Sequence, residues 1–184
     1  MSARATITRL SLTSPVGDLT ITAEDTADGQ VLTRLDWGYA ADSRESPILS
    51  DARDQLNDYF AGRRHAFDLV LRPAGSAFRQ AVWRTLGTIG WGQTRTYGQV
   101  AAALATAARA VGGACGANPL PIFIPCHRVL GADGALHGYS GEGGLATKAW
   151  LLQHEGAAWL DQPGLALTGG GRFTGEHHIR GAQT

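Results

Sequence analysis

The sequence lacks any long apolar run, and this absence argues against a helix that spans a membrane. Its hydrophobic stretches are far shorter than the roughly 18 residues that crossing a bilayer requires. Residues 1–11 alternate polar and apolar side chains, unlike the apolar centre of a secretory signal peptide. We therefore expect a soluble, cytoplasmic protein with no membrane partner.

Cysteine is scarce as well, since the chain contains only Cys115 and Cys126. Two cysteines cannot build the disulfide framework of a small secreted domain, and they fall short of the four thiolates of an all-cysteine zinc site. We therefore expect free thiols in a reducing compartment. The sequence gives no reason to expect a bound metal or any other cofactor.

The chain also lacks net charge, because its 16 basic and 16 acidic residues cancel. A balanced protein is not an obvious partner for a polyanion such as DNA. The charges are unevenly placed, however: residues 72–132 carry six arginines and no acidic residue, whereas the segments on either side are acidic overall. This distribution favours a nucleic-acid surface in the middle of the chain, although a cationic face that only aids solubility would give the same pattern.

The sequence does contain enough apolar material for a folded globule, because 43% of its 184 residues are hydrophobic. A chain of this length suits one ordinary domain or two small ones. Apolar and polar residues alternate at 6–13, 19–23 and 31–37, and turn-forming residues separate these stretches at 15–18 and 28–29. This pattern predicts an antiparallel sheet of three strands.

A single helix follows the predicted sheet. Ser46 and Pro47 are typical of a helix start, and apolar residues recur at helical spacing as far as Phe60. Residues 67–71 alternate again, as a short strand or an extended link, and a stretch containing proline and glycine follows them. We therefore predict an N-terminal sheet-and-helix domain over residues 1–74.

The remaining sequence predicts a mostly helical domain over residues 75–156 and a peripheral tail at 157–184. Three helices are expected to follow capping residues with hydroxyl side chains: one after Ser76, one at 97–105 after Thr96, and one at 107–115 after Thr106. The last two, with almost no linker, are typical of a helix-turn-helix. A buried segment at 122–124 and a closing helix at 145–155 complete this domain.

The dipeptide Cys126-His127 is the first candidate for chemistry. A cysteine reacts as its thiolate and needs a base nearby at neutral pH. Neighbours in extended chain point to opposite sides, so their cooperation requires a turn after Pro125 or a bridging water. Glu155 is one of few downstream acids that could orient the histidine. Taken alone, these residues also fit a buried structural cysteine beside a surface histidine.

The predicted recognition helix at 107–115 is unusual for a protein that reads base sequence. Only Arg109 is long enough to reach a base edge, and the other residues are small. Small residues allow close approach to a nucleic-acid backbone without sequence readout, and they equally allow tight packing against a neighbouring helix. We interpret Cys115, in this helix, as a packed small residue.

These motifs are similar to those of the O6-alkylguanine-DNA alkyltransferase family. The strongest part of the match lies in the second half of the chain and includes Ile124-Pro125-Cys126-His127-Arg128-Val129. The matching stretches together cover most of the chain and lie at 14–19, 55–62, 67–69, 78–101, 108–112, 116–119, 124–129, 138–141 and 148–155.

The resemblance implies a fold and a function. The implied fold is α+β: a small N-terminal antiparallel sheet with a helix, similar to ribonuclease H, and a mostly helical, winged-helix-like C-terminal domain with a helix-turn-helix. The implied function is DNA repair, in which O6-alkylguanine, and O4-alkylthymine more weakly, is flipped out of double-stranded DNA from the minor groove. Its alkyl group passes irreversibly to Cys126, so each molecule acts once. The resemblance implies a monomer without an obligate protein partner, which can associate cooperatively on DNA.

The resemblance also implies roles for single residues. Cys126 is the acceptor, His127 the base acting through water, Glu155 the acid that holds the histidine, and Tyr97 the phenol that hydrogen-bonds guanine N3. Arg109 fills the stack that the flipped base leaves. The implied DNA-contacting residues are Thr96, Arg109, Ala110, Gly112 and Arg128. The implied pocket residues are Asn118, which is also a hinge, Pro121, Val129, Tyr139 and Ser140.

The sequence departs from the family pattern in three places. The segment from Tyr97 to Arg109 is about two residues short, which affects the reach of Arg109. Residues 142–143 look like an insertion in the loop over the pocket, with consequences for the alkyl groups that fit. Residues 90–91 replace a common Pro-Tyr pair. The zinc module of the regulatory family members is absent, so self-methylating transcriptional activation is not expected.

Two other functions remain open at this stage. A lesion-binding relative that does not transfer the alkyl group would lack the acceptor cysteine, usually replaced by tryptophan, and Cys126 is present. A cysteine hydrolase built from Cys126, His127 and Glu155 is chemically possible, but it would leave the helix-turn-helix and Arg109 without a purpose.

Overall fold

The computed structural model describes residues 6–159, and its first unit is the predicted three-stranded sheet. Strands β1 (Ile7–Ser14), β2 (Gly17–Thr26) and β3 (Gly29–Trp37) lie in sequence order and pair antiparallel. Gly17 and Gly29 follow the two tight turns with φ of 103° and 115°, a conformation that favours glycine. The alternation of apolar residues thus predicted the sheet correctly.

Helix α1 (Pro47–Phe60) covers one face of this sheet. Its buried stripe contains Leu49, Ala52, Leu56 and Tyr59, which recur at helical spacing. The helix begins at Pro47 as predicted, but the Ser46 hydroxyl makes no capping hydrogen bond. The extended link that follows runs parallel to β3, where Leu71 pairs with Leu32.

The second half contains three helices before the Cys126 segment: α2 (Ala77–Gly87), α3 (Tyr97–Ala103) and α4 (Ala108–Gly116). The Ser76 hydroxyl accepts a hydrogen bond from the Arg79 amide at 3.3 Å, so Ser76 caps α2 as predicted. Thr96 caps α3 through a reciprocal pair of hydrogen bonds with Gln99. Helices α3 and α4 pack together as the predicted helix-turn-helix.

The prediction that Thr106 caps the following helix is wrong. Thr106 belongs to the turn that ends α3, where its amide donates to the Ala101 carbonyl at 3.0 Å after Ala105 adopts a positive φ of 48°. Helix α4 therefore begins only at Ala108, after Ala107, whose side chain cannot cap it.

The chain then forms a buried, irregular segment and a closing helix. Ile122, Phe123 and Ile124 are at most 6% exposed, as predicted. The short strands β4 (Arg95–Thr96) and β5 (Val129–Leu130) pair in parallel beside this segment. Helix α5 (Leu145–His154) closes the unit. The predicted tail lies outside the described residues from residue 160 onward.

A shared core joins the two halves of the chain. One cluster of buried side chains runs from the sheet through α1 to α2, α4 and Cys126. The Phe67 and Phe123 rings meet edge to face at 4.9 Å, and the Leu35 amide donates to the Pro119 carbonyl at 2.8 Å. No helix among residues 6–159 is long and apolar enough to cross a membrane.

Candidate active site

Cys126 begins a single turn of 3-10 helix that ends at Arg128. The turn follows Pro125, whose carbonyl accepts the Arg128 amide at 3.0 Å, so the predicted bend after the proline is present. Because the chain bends here, all three side chains of the turn point inward, and none is more than 6% exposed. The turn thus buries a thiol and its neighbouring imidazole in one place.

His127 is paired with Glu155, as predicted. Its Nε2 lies 2.8 Å from the Glu155 Oε1, and neither side chain is exposed. A carboxylate requires a donor, so we assign the ring proton to Nε2, which leaves Nδ1 as the basic nitrogen. Nδ1 is buried and has no hydrogen-bond partner within residues 6–159. Burial lowers the pKa of His127 in spite of Glu155, so the imidazole is neutral and can accept a proton.

The Glu155 carboxylate is held from several sides. Arg128 donates from Nε to Oε2 at 2.8 Å and from Nη2 to Oε1 at 2.9 Å, and the Tyr59 hydroxyl donates to Oε1 at 2.7 Å. Burial opposes ionisation of Glu155, but the hydrogen bonds from His127 and Arg128 outweigh it and lower the pKa to about 2. Glu155 is therefore an anion throughout the physiological range.

The prediction that Arg128 contacts DNA is wrong. Its side chain is buried, with 6% of the residue exposed, and its guanidinium is turned inward. Besides the two bonds to Glu155, it donates from Nη1 to the Ile89 carbonyl at the end of α2. A buried carboxylate needs a paired charge, so Arg128 serves Glu155 and not a phosphate.

The Cys126 thiol is protonated in the resting state. Burial raises its pKa, while a hydrogen bond from the Asn118 side chain and the charge of Lys148 partly offset that effect. A thiol of this kind needs a base before it can attack an electrophile. Asn118 also donates from Nδ2 to the Ile124 carbonyl at 2.9 Å and accepts the Leu120 amide at 3.0 Å, which fixes the link from α4 to the thiol.

A cavity of about 720 Å³ opens beside Cys126. It lies between the helix-turn-helix and the loop after β5, and most of its lining is apolar. Six of the predicted site residues line the cavity: Tyr97, Arg109, Gly112, Cys126, Tyr139 and Ser140. Other lining residues, which were not predicted, include Cys115, Ala132, His137 and Gly138. The cavity is large enough for a nucleobase.

Three predicted pocket residues do not line this cavity. Asn118, Pro121 and Val129 are buried and are not among its lining residues. The Val129 carbonyl accepts a hydrogen bond from the Lys148 Nζ at 2.6 Å. Asn118 and Val129 thus bond to neighbouring chain segments, and their roles in the pocket stay predictions.

Of the predicted DNA-contacting residues, Arg109 and Gly112 line the cavity. Arg109 is exposed on α4 and lines the cavity. On the same helix, Gly112 lies against Tyr97, where an added Cβ would be 4.0 Å from the ring. Ala110 is half-buried, and the Thr96 side chain is engaged in capping α3. Arg109 is thus a long cation at the cavity, and its contact with DNA stays a prediction.

Tyr97 and Lys148 meet at the cavity wall. The Tyr97 hydroxyl and the Lys148 Nζ both donate to the His137 carbonyl, at 3.1 Å and 2.8 Å. Burial raises the pKa of Tyr97, so the phenol remains a donor. Burial lowers the pKa of Lys148 to about 8, against the opposing influence of Cys126 and Cys115. Lys148, which lies 5.7 Å from the Tyr97 ring, therefore holds the loop at His137.

The N-terminal sheet reaches the same loop. The Trp37 and Tyr139 rings meet edge to face at 6.2 Å. Gly141 passes between them so closely that an added Cβ would lie 2.4 Å from the Tyr139 ring and 2.6 Å from the Trp37 ring. One wall of the cavity is therefore supported by the first half of the chain.

The residues that the sequence predictions missed are Tyr59, Trp37, Lys148 and the Ile89 carbonyl. The sequence does contain an indication for Lys148, because the single lysine of the chain lies among apolar residues of a predicted helix, which suggests a buried side chain. Tyr59 lies 96 residues from Glu155, and nothing local distinguishes it from a core aromatic residue. No cluster of three or more potential metal ligands occurs in residues 6–159.

Comparison with known proteins assigns both halves of the chain. Residues 7–73 match the sequence model of the 6-O-methylguanine DNA methyltransferase ribonuclease-like domain, and residues 77–157 match that of its DNA binding domain. The constitutive methylated-DNA–protein-cysteine methyltransferase of Bacillus subtilis is 40% identical over 81% of this chain and 95% of its own. The Mycobacterium tuberculosis protein of that name is 43% identical over 79% of this chain and 90% of its own.

Solved structures agree with these relatives. The crystal structure of the Mycobacterium tuberculosis O6-methylguanine methyltransferase superposes with a TM-score of 0.71 at 41% identity, covering 82% of this chain and 93% of that one. The crystal structure of Mycobacterium tuberculosis OGT in complex with DNA gives 0.70 at 43% identity, covering 80% and 92%.

The fold and the site define a two-domain, DNA-binding protein that carries a buried, free cysteine beside a cavity. Cys126 lies within the residues that match the DNA binding domain. The chain belongs to the methylated-DNA–protein-cysteine methyltransferase family, and it repairs DNA by transferring alkyl groups to cysteine. The expected α+β fold, with ribonuclease-like and DNA-binding domains, is confirmed.

Proposed function

We propose that Cys126 is the alkyl acceptor and that O6-alkylguanine, flipped out of double-stranded DNA, enters the adjoining cavity. The observation that carries this proposal is the position of Cys126, which lines the cavity while its neighbour His127 is paired with Glu155 behind it. The other cysteine, Cys115, also lines the cavity, but its neighbours in α4 are Ala114 and Gly116, and burial raises its pKa to about 12. Cys126 is therefore the better nucleophile.

The transfer step follows from the protonation states of the site. His127, neutral and basic at Nδ1, takes the Cys126 proton through a bridging water, and Glu155 stabilises the imidazolium that forms. The thiolate attacks the alkyl carbon, the bond from that carbon to guanine O6 breaks, and its electron pair goes to the guanine. The proton held by the His127 imidazolium then passes to the guanine, which stays in the DNA strand as an unalkylated nucleobase. A stable thioether remains, so each molecule acts once.

Tyr97 assists the departure of guanine in this proposal. Its hydroxyl is a permanent donor that lines the cavity and reaches the His137 carbonyl in the absence of a base. When a guanine occupies the cavity, the hydroxyl turns to its N3, where a hydrogen bond stabilises the negative charge that develops on the ring. O4-alkylthymine presents the same alkyl–oxygen bond on a smaller ring that fills the cavity less completely, which accounts for weaker repair.

The helix-turn-helix holds the DNA by its minor groove. The small residues of α4 let the duplex backbone approach, with Ala110 and Gly112 at the contact and Thr96 at the start of α3. Arg109 enters the stack in place of the flipped base. The protein acts in the cytoplasm, where reducing conditions keep Cys126 a free thiol.

Methyl transfer to the protein tests this proposal. A duplex that contains one O6-methylguanine is mixed with the protein in equal amounts, and the intact protein and its peptides are weighed by mass spectrometry. We expect one methyl group on the peptide that contains Cys126 and no second turnover.

The matched control compares the two cysteines. Cys126→Ser should abolish transfer and leave duplex binding intact, whereas Cys115→Ser should transfer the methyl group. Methylation at Cys115 instead of Cys126 would refute the assignment of the acceptor. Repeated turnover of an ester or peptide substrate would favour the hydrolase alternative.

A further inference from the structure

Tyr59 extends from the N-terminal domain into the centre of the candidate active site. It lies in the last turn of α1, is fully buried, and donates its hydroxyl to the Glu155 Oε1 at 2.7 Å. Its own carbonyl accepts the His154 Nε2 at 2.7 Å. Both ends of the residue are therefore bonded to the end of α5, which fixes the hydroxyl relative to the carboxylate.

The ring of Tyr59 is enclosed by other aromatic rings. Phe60, Phe67, Trp91 and His154 surround it with centroid separations between 5.3 and 5.4 Å. A phenylalanine would satisfy this packing equally well. A buried hydroxyl is costly unless it is hydrogen-bonded, so the hydroxyl requires Glu155, and Glu155 receives a donor from outside its own domain.

We propose that Tyr59 is a positioning residue for alkyl transfer, acting through Glu155 to set the orientation and basicity of His127. The inference rests on the proposed function, because His127 matters only if it takes the proton of Cys126. It assigns the N-terminal domain a part in the chemistry, separate from its contribution to folding.

The hydrogen bonds at Glu155 explain how Tyr59 acts. One carboxylate oxygen, Oε1, accepts from Tyr59, His127 and Arg128. Each further donor disperses the negative charge of the carboxylate, which weakens its stabilisation of the imidazolium. Burial and the charge of Glu155 raise the pKa of Tyr59 well above its ordinary value, so the phenol keeps its proton and remains a donor. Tyr59 therefore keeps the pKa of His127 lower than it would be without this hydrogen bond.

The charged groups around His127 are known, so the effect of one change can be isolated. They are Lys148 on α5, Glu155 directly after α5, Tyr59 on α1, and Cys126 and Arg128 in the turn of His127 itself. Tyr59→Phe removes one donor and leaves the others in place. With one donor fewer, the Glu155 carboxylate interacts more strongly with His127 and favours its imidazolium form. The pKa of His127 therefore rises.

The pH dependence of single-turnover methyl transfer tests this inference. The rate rises with pH as His127 loses its proton, so Tyr59→Phe should move the midpoint of that rise to higher pH. We expect a shift of roughly 0.3 to 1 pH unit, a change in rate of about twofold to tenfold on the acidic side. The probe is an O6-methylguanine duplex in excess over protein, measured from about pH 5 to about pH 8.

Two controls separate positioning from packing. Phe67→Leu loosens the same aromatic cluster and keeps the Tyr59 hydroxyl, so it should lower the melting temperature without moving the midpoint. Tyr39→Phe removes an exposed hydroxyl and should change neither quantity. If Tyr59→Phe folds poorly, a fluorotyrosine placed at position 59 makes the phenol a stronger donor and should shift the midpoint to lower pH.

The outcomes distinguish this inference from the proposed function. An unshifted midpoint, with transfer to Cys126 intact in the unsubstituted protein, would overturn the inference alone. The same holds if Phe67→Leu shifts the midpoint as far as Tyr59→Phe. Absence of any transfer to Cys126 in the unsubstituted protein would refute the proposed function and the inference together.

Discussion

Single residues at this site are constrained mainly by buried charge. Glu155 and Arg128 are almost completely buried, and each provides the opposite charge that the other needs. A buried ion pair is weak evidence for stability, because desolvation offsets much of the attraction. Its effect here is geometric: it leaves Glu155 one orientation, and His127 follows that orientation. In the proposed mechanism, the base therefore depends on Glu155, a residue that does not line the cavity.

Glu155 should also govern acid stability. Its pKa is lowered from 4.5 to about 2 in the folded protein. The stabilisation is present above the unfolded value and is lost as pH falls through the folded value, between about 4.5 and about 2. A shift of this size corresponds to roughly 3 kcal/mol. Urea unfolding of the unsubstituted protein should show this loss, and Glu155→Gln should lack it.

The exposed Glu142 supplies the control for this measurement. Glu142→Gln should keep the acid-dependent loss, because its carboxylate is in water and has no comparable set of buried donors. At neutral pH, Glu155→Gln should be less stable by several kcal/mol, since it leaves the buried Arg128 without a counter-charge. Identical pH dependence in all three proteins would contradict the role given to Glu155.

At the scale of elements, the sequence predicted what local chemistry determines. Ser76 and Thr96 cap their helices because a hydroxyl one position before a helix satisfies free amides. Thr106 has the same chemistry, but the turn after α3 uses its amide and delays the next helix. Arg128 was misassigned because neighbouring residues cannot show that a distant carbonyl, at Ile89, receives its guanidinium. Hydrogen bonds between residues far apart in the sequence, such as that from Arg128 to Ile89, were thus the part that sequence patterns did not predict.

Arg109 tests the role of helix α4. It is exposed, so Arg109→Ala should leave the melting temperature nearly unchanged, within about 0.5 kcal/mol of unfolding free energy. If Arg109 fills the stack of the flipped base, the same substitution should slow methyl transfer from duplex DNA by tenfold or more, as an order of magnitude. Transfer rates and thermal denaturation measure the two effects separately.

Arg84→Ala is the matched control, because Arg84 is exposed on α2 and does not line the cavity. It should weaken duplex binding slightly through the loss of one charge and should not slow transfer once DNA is saturating. A melting temperature that drops by many degrees in Arg109→Ala would make Arg109 a structural residue. Equal slowing in both variants would contradict a specific role for α4.

At the scale of the whole molecule, a neutral chain carries a basic face. Of the six arginines in residues 72–132, five are exposed and Arg128 is buried. These five set an upper limit on the phosphate charges that this segment can neutralise. The net negative charge of the other segments disfavours DNA binding through the remaining surface. The expected binding is therefore modest in strength and limited to one face.

Salt dependence measures this limit. Each neutralised phosphate on duplex DNA contributes about −0.9 to the slope of log affinity against log salt, so five arginines allow a slope no steeper than about −4.5. Fluorescence anisotropy of a labelled duplex between low and moderate salt gives the slope directly. Arg128→Lys should leave it unchanged, whereas Arg109→Ala should reduce its magnitude by up to about one. A slope near −10 would show that charges outside this segment bind DNA.

The close passage of Gly141 between Trp37 and Tyr139 has a consequence for how this protein can diverge. A larger side chain at position 141 would meet both rings, so it fits only if Tyr139 and Trp37 both make room, and Trp37 lies in the other domain. The residues that either domain can accommodate at this contact therefore depend on the residues of the other domain. We therefore expect substitutions of Gly141 to need accompanying changes at Trp37, in the sheet at the start of the chain, before the pocket loop can take a new shape.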